Sequence, residues 1–370
     1  MTGLFGRSQR VVVKIGSALL VDDDGDLRGE WLAALAADVA RLEAQGCDVI
    51  LVSSGAIALG RAVLRLDSRT LRLEEKQAAA AAGQIALAHA YRAALQSVGL
   101  GCAQLLLTPD DTEDRRRYLN ARATLETLLR VGAVPVVNEN DTVATTEIRF
   151  GDNDRLSARV AVMAMADTLV LLSDVDGLHT ADPRRDPTAR HVAEVPAIDE
   201  AIEAMATGVV SLVGTGGMVS KLAAARMATR AGCRVILGDG RAPGALERIA
   251  DGARHTLFHA HSTPTRAKKD WIAGSLAPAG AVTIDDGAAA ALRAGRSLLP
   301  AGVIAVDGSF ARGDAVLVRD RSGRSLAKGL SAYDADDARR IVGLKSDATE
   351  AVLGYRGRDE IIHRDHLVLL

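Results

Sequence analysis

"RVVVKIG", residues 10–16, is an apolar run of strand length with a single cation inside it. Three valines and an isoleucine without alternation are what a strand shows when helices cover both faces of a parallel sheet. The same kind of run recurs as "CDVILVSSG" (47–55), "CAQLLLT" (102–108), "AVPVVNEN" (133–140), "DTLVLLSD" (167–174) and "CRVILGDG" (233–240). Segments of helical character lie between them, at 29–45, 73–98, 112–131, 153–166 and 217–231. Strand then helix, repeated, predicts an α/β fold: a mainly parallel sheet sandwiched by helices, with right-handed crossovers. The five alanines at 78–82 belong to a helix interior, given their high propensity.

Near residue 260 the pattern changes. "HAHSTPTRAKKDWIAGSLAPAG" (259–280) mixes Pro, Gly, Ser and charge and reads as a linker. Beyond it, "GAVTIDDG", "GVIAVDG", "DAVLVRDRSG" and "HLVLL" are short alternating stretches with turn signals, the mark of a small β-rich domain. The expected division is a first domain at 8–260, a linker at 261–279 and a second domain at 280–370. A chain of 370 residues is too long for one ordinary core, so two domains suit it.

Composition excludes several function classes. A formal charge of −2 argues against nucleic acid or anionic membrane as the main partner. Residues 281–370 hold thirteen Lys or Arg against thirteen Asp or Glu, with no basic excess for an RNA footprint. Cys47, Cys102 and Cys233 are isolated and fit reduced thiols better than a disulfide frame or a zinc site. With no signal segment and no apolar stretch approaching the ~20 residues that span a bilayer, a cytoplasmic protein is expected.

Lys14 sits where a buried strand should not hold a cation. In doubly wound sheets ligands bind beyond the carboxyl ends of the strands, so a lysine just ahead of Gly16 and Ser17 is placed to reach a phosphate. "LVGTGGMVSKLAAARMATRAG" (212–232) puts three glycines and a threonine before a helix, the arrangement of a loop whose amides wrap phosphate oxygens. The P-loop spacing is missing. Lys221 lies near the start of that helix, where the macrodipole disfavours a cation unless an anion is bound. "VSSGAIALG" (52–60) closes another strand in small residues that let backbone approach a ligand.

"PVVNENDTVATTEIRFGDNDRLSARVA" (135–161) gathers amides and carboxylates at a strand mouth and a helix start. Asn, Asp and Gly also dominate turns and caps, and capping alone would account for Asp152. As a set they suit an α-amino acid beside a nucleotide phosphate. Asp141 could pair with a substrate ammonium, Asn138 and Asn153 could hydrogen-bond a carboxylate, and Asp154 could hold the two lysines in register.

Six stretches in order, "VVVKIGSALL", "VSSGAIALG", "LLTPDDTEDRRRYLNARATLETLL", "PVVNENDTVATTEIRFGDNDRLSA", "LLSDVDGLHTADPR" and "VGTGGMVSKLAAA", resemble the amino-acid kinase family, and among its members those that phosphorylate glutamate. The C-terminal segment is similar to a PUA domain. Each motif is moderately specific, and six with matching order and spacing are highly so. The aspartate kinases of the family typically begin with a KFGGTS-like strand where this chain reads KIGSA.

The resemblance implies the amino-acid kinase fold, ATP with Mg²⁺, L-glutamate as acceptor and L-glutamyl 5-phosphate as product. It also implies inhibition by proline, a homodimer or homotetramer, and handover of the product to glutamyl-phosphate reductase. Carried over by position, Lys14 and Lys221 match phosphate-binding lysines and Asp154 the aspartate that organises them. Ser54, Asp141 and Asn153 match glutamate-binding positions, with Asn138 and Asp152 in the same cluster. Gly16, Ser17, Ser173, Asp174 and the loop Thr215, Gly216, Gly217, Met218, Val219, Ser220 and Lys221 match the ATP site. Ser17 and Ser173 stand where the family commonly has Thr, and both keep the hydroxyl. "TEDRRRYLNAR" (112–122) falls in the region tied to proline control. No residue is assigned to a protein-held metal site.

Overall fold

The computed structural model describes residues 4–6, 8–22, 24–66, 71–143, 152–207, 217–275 and 277–370. Two compact units divide the chain, Met1–Pro264 and Thr265–Leu370.

The first unit is built on an eight-stranded sheet. Its strands are β1 Arg10–Ile15, β2 Asp48–Val52, β3 Gly101–Leu107, β4 Ala133–Glu139, β5 Thr168–Ser173, β6 Glu194–Val195, β7 Arg234–Asp239 and β8 His255–Phe258. They lie in the order β3-β4-β2-β1-β5-β7-β8-β6. All neighbours pair in parallel except β7 and β8. Each of the six apolar runs read from the sequence matches one of these strands, β3 starting one residue before its run, and only the short β6 and β8 carried no comparable signal.

Helices α1 Gly29–Glu43, α2 Ala56–Val63, α3 Leu73–Ser97, α4 Arg115–Arg130, α5 Asp152–Met163 and α6 Met218–Arg230 connect the strands. The expected helix over 112–131 is two pieces. A single turn, Pro109–Glu113, is capped by Thr108, and Asp114 then caps α4 by accepting from the Arg117 amide at 2.8 Å. Thr108 and Asp111 form a reciprocal capping box, so the break is local cap chemistry overriding helix propensity.

Successive side chains of a strand point to opposite faces, and β1 divides its residues between two cores accordingly. Val11, Val13 and Ile15 enter a core shared with Trp31, Leu35 and Val39 of α1 and Leu87 and Tyr91 of α3. Val12 enters the opposite core, with Leu156 and Val160 of α5 and Leu222 and Ala225 of α6. Lys14 is two residues on from Val12, so the pleat sends it to the α5/α6 side. It pairs in register with Val52 of β2 and Leu171 of β5, in mid-sheet rather than at an edge.

One helix crossing is unusually close. A Cβ added to Gly60 of α2 would lie 1.7 Å from the Ala79 carbonyl oxygen, and one on Gly83 of α3 would lie 1.8 Å from the Ala56 carbonyl oxygen. Backbone meets backbone there, and glycine is the residue that allows it.

The second unit carries a five-stranded sheet: β9 Gly280–Ile284, β10 Val303–Gly308, β11 Ala315–Arg319, β12 Ser325–Leu330 and β13 Leu367–Leu369. The order is β10-β9-β11-β12-β13, with only β9 and β11 parallel. Val282, Ile284, Val316, Val318, Phe310 and Ile361 fill its core. The stretch expected as a linker, 261–279, instead contains a helix, Pro264–Ser275. Ile272 on it is fully buried against Ala315 and Leu330, and the buried Lys328 ammonium donates to the Ala273 carbonyl at 2.9 Å. A side-chain donor on a late carbonyl of a helix compensates for the missing intrahelical partner, which Pro and Gly content alone does not reveal. Among the described residues no helix is long and apolar enough to cross a membrane.

Candidate active site

Asp154 lies one residue after Asn153 in the first turn of α5 and is fully buried. Its Oδ1 is 2.6 Å from the Lys14 ammonium and its Oδ2 is 3.5 Å from that of Lys221. The Ser220 hydroxyl donates to Oδ2 at 2.7 Å, and the Ser157 hydroxyl donates to the Asp154 carbonyl at 2.6 Å. Both lysines are only 7% exposed. Two cations therefore share one buried anion, and the three groups together carry a net positive charge. Buried charge without compensation is costly, so this corner favours an incoming anion.

The titration behaviour reports the same imbalance. Burial works to raise the Asp154 carboxyl, but Lys14 and Lys221 more than reverse it and hold it below the ordinary carboxylate range. Burial pulls the Lys221 ammonium down; Asp154 opposes this, Lys14 adds to it, and the net shift is downward. Asp174, at the end of β5, also feels Lys221. Burial would raise its carboxyl, yet the Ser173 hydroxyl, donating at 3.0 Å, and the neighbouring cations bring it below the ordinary range.

Neutral groups line the other side of the α5 start. Asn153 Nδ2 donates to the Ser53 carbonyl at 2.9 Å, to Ser54 Oγ at 2.8 Å and to Asn138 Oδ1 at 3.3 Å. Asn138, at the end of β4, donates from Nδ2 to Gln84 Oε1 of α3 at 2.7 Å, while its Oδ1 also accepts from the Glu139 amide at 2.9 Å. Asn153 Oδ1 is buried and, among the described residues, has no hydrogen-bond partner. Ser53 and Ser54 reach this network because Gly55, at φ 97°, turns the chain sharply between β2 and α2. Asp141 follows two residues after β4 and is 9% exposed.

The structure thus brings Lys14, Lys221, Asp154 and Ser220 together, and Ser54, Asn138 and Asn153 together, joined through one helix turn. Gly16 precedes the short helix Ser17–Leu20 that follows β1, and Ser173 and Asp174 end β5. Gly217 is the N-cap of α6; Met218 packs beside the core, whereas Val219 is 56% exposed. Thr215 and Gly216 lie outside the described residues, as does the side chain of Asp152. Asn153 was expected to donate to a carboxylate, yet its amide hydrogens are already taken up by three protein oxygens. Gln84 and the Ser53 carbonyl were not anticipated. Gln84 is 54 positions from Asn138, and a glutamine inside an alanine-rich helix carries no local signal.

Among the described residues no group of three or more His, Cys, Asp or Glu side chains could hold a metal ion. This donor set does not make a protein-held cage. It is compatible with an octahedral cation held mainly by phosphate oxygens and water.

Residues 9–239 match the model of the amino acid kinase family, and residues 280–353 that of the PUA domain. The chain is 59% identical to the glutamate 5-kinase of Paramagnetospirillum magneticum over 98% of each chain. It is 57% identical to the glutamate 5-kinase of a Bradyrhizobium species, over 98% of this chain and 96% of that one. Among solved structures, carbamate kinase from Giardia lamblia bound to AMP-PNP matches with a TM-score of 0.50 at 17% identity, covering 68% of this chain and 99% of that one.

Proposed function

This chain belongs to the amino acid kinase family, and we propose that the two ammoniums gathered on Asp154 carry its reaction, transfer of the ATP γ-phosphoryl group to the 5-carboxylate of L-glutamate. The product is L-glutamyl 5-phosphate, the first intermediate of proline synthesis from glutamate. A carboxylate oxygen forms the new bond to phosphorus, the bond from phosphorus to the β,γ-bridging oxygen breaks, and ADP leaves. The acceptor is already ionised near neutral pH, so no general base is needed. What must be overcome is the approach of anion to anion.

In phosphoryl transfer, charge spreads over the equatorial oxygens, and the protein contributes positioning and electrostatic stabilisation. Lys14, at the mouth of the central strand, and Lys221, at the start of α6, supply the cations. Asp154 positions both lysines and takes up no proton, since its carboxyl is held below the ordinary range. Mg²⁺ bound with the nucleotide would be held mainly by phosphate oxygens and water and would neutralise phosphate charge. Ser173, Asp174 and the segment Gly217–Lys221 form the nucleotide side, and Ser54, Asn138, Asp141 and Asn153 form the glutamate side.

The observation that carries this reading is the single buried carboxylate within 2.6 and 3.5 Å of two ammoniums distant in the chain. The test traps the acyl phosphate as a hydroxamate, acid by acid. Product with glutamate and ATP, and none with aspartate or N-acetylglutamate, is expected; no hydroxamate from glutamate would refute it. The same assay with proline added tests the feedback inhibition that belongs to this reading, as does assembly into a dimer or tetramer.

A further inference from the structure

The amide network has a direction, set by a backbone donor at Glu139 and a backbone acceptor at Ser53, and Gln84 completes it. A primary amide has a donor end and an acceptor end, and turning it over exchanges them. Asn138 bonds at both ends: Nδ2 donates to Gln84 Oε1 at 2.7 Å, and Oδ1 accepts from the Glu139 amide at 2.9 Å and from Asn153 Nδ2 at 3.3 Å. Among the described residues, Gln84 is the one side chain that receives the Asn138 donor. Asn138 is itself 2% exposed, so water is a poor substitute. The Ser53 carbonyl, which can only accept, turns the Asn153 donor inward, toward Ser54 Oγ and the Asn138 Oδ1 as well.

The helix bearing Gln84 is held in place for this task. Gly83 is its immediate neighbour, and the Gly60–Gly83 crossing leaves no room for even a methyl group on either partner. α2, which begins after the Ser53-Ser54-Gly55 turn, and α3, which carries Gln84, are thereby locked at backbone contact. The turn and the glutamine approach the two asparagines from fixed positions.

We propose that Gln84 is a positioning residue for the glutamate pocket. By accepting the buried Asn138 Nδ2 it holds the Asn138 amide in the orientation that the Glu139 backbone sets, and with it the Oδ1 that accepts from Asn153. The inference rests on the pocket assignment made above and adds to it a residue that acts only through Asn138.

The experiment is a double-variant cycle on the full-length chain, with steady-state kinetics in both substrates. Gln84→Met keeps the length and volume of the side chain and removes the acceptor. The expected result is a rise of about tenfold in KM for glutamate, the size of one lost buried hydrogen bond, with kcat and KM for ATP changing far less. In an Asn138→Ala background, adding Gln84→Met should change KM for glutamate by less than about twofold. Thermal unfolding of each variant confirms that a folded protein is being measured.

Equal increases in both Michaelis constants would overturn the proposal, because a merely structural role spares neither substrate. Additive effects in the double variant would overturn it too, because Gln84 would then not act through Asn138. If Asn138→Ala alone leaves KM for glutamate unchanged, the pocket assignment itself fails, which is a separate result.

Discussion

Asp154 and Asn153 are consecutive residues in one helix turn, and their surroundings differ in kind. Asp154 draws two ammoniums and a hydroxyl onto one buried carboxylate. Asn153 spends its hydrogens on a carbonyl, a hydroxyl and another amide, all neutral. Ionic contacts fall off slowly with distance and tolerate a few tenths of an ångström, whereas amide contacts depend on which atom faces which. In the proposed reaction the side around Asp154 would work by charge and the side around Asn153 by orientation. One helix start sets the two at a fixed spacing.

The contrast breaks most severely at Asp154. Asp154→Ala leaves two buried ammoniums facing each other, and removing one partner of a buried ion pair typically costs about 3–5 kcal/mol. Chemical denaturation should show a loss of that size, and a loss under about 1 kcal/mol would mean that the lysines find other partners. Next in size is Lys221→Ala, which should lower kcat by roughly 10²–10³-fold with the fold intact, by analogy with a lost oxyanion donor. A near-normal kcat would remove Lys221 from the chemistry.

On the glutamate side, Asp141→Ala should raise KM for glutamate by roughly 10–100-fold, as expected for one lost charge-assisted hydrogen bond, and leave KM for ATP nearly unchanged. Equal effects on both constants would erase the division between the two sides. The smallest expected effect is in the pH profile. Burial depresses the Lys221 ammonium in the free enzyme, so its charge is lost at a lower pH than that of an ordinary lysine, and kcat/KM for ATP should show an alkaline limb below the usual lysine range. In Lys221→Arg, whose cation does not titrate there, that limb should disappear from whatever activity remains. The same depression makes folding slightly more favourable as pH rises through the window between the folded and unfolded lysine values. Stability and kcat/KM for ATP should therefore move in opposite directions there.

Much of the fold and of the charged half of the site is legible in the chain. Lys14 announces itself as a cation in an apolar strand, and the six strand runs and the loop-to-helix glycines are local signals. Hydrogen bonds between polar side chains distant in the sequence leave no such trace. Gln84 meets Asn138 across 54 positions, and Ser220 meets Asp154 across 66. Gly60 and Gly83 look like ordinary weak points in helices until their crossing is seen. Residues 261–279 read as a linker because Pro, Gly and Ser are punctuation on average, while Ile272 and Lys328 make that segment part of the second unit's packing. Thr215 and Gly216, both expected at the nucleotide, fall outside the described residues.

The alternation along β1 has one more consequence. Slide that strand by a single position against its neighbours and Val13 would take the place of Lys14, while the ammonium would be driven into oil on the far side of the sheet. Such a chain would lose its packing and its reactivity in the same step. A partly competent impostor is not available, so quality control of the fold and of the chemistry comes down to one side chain.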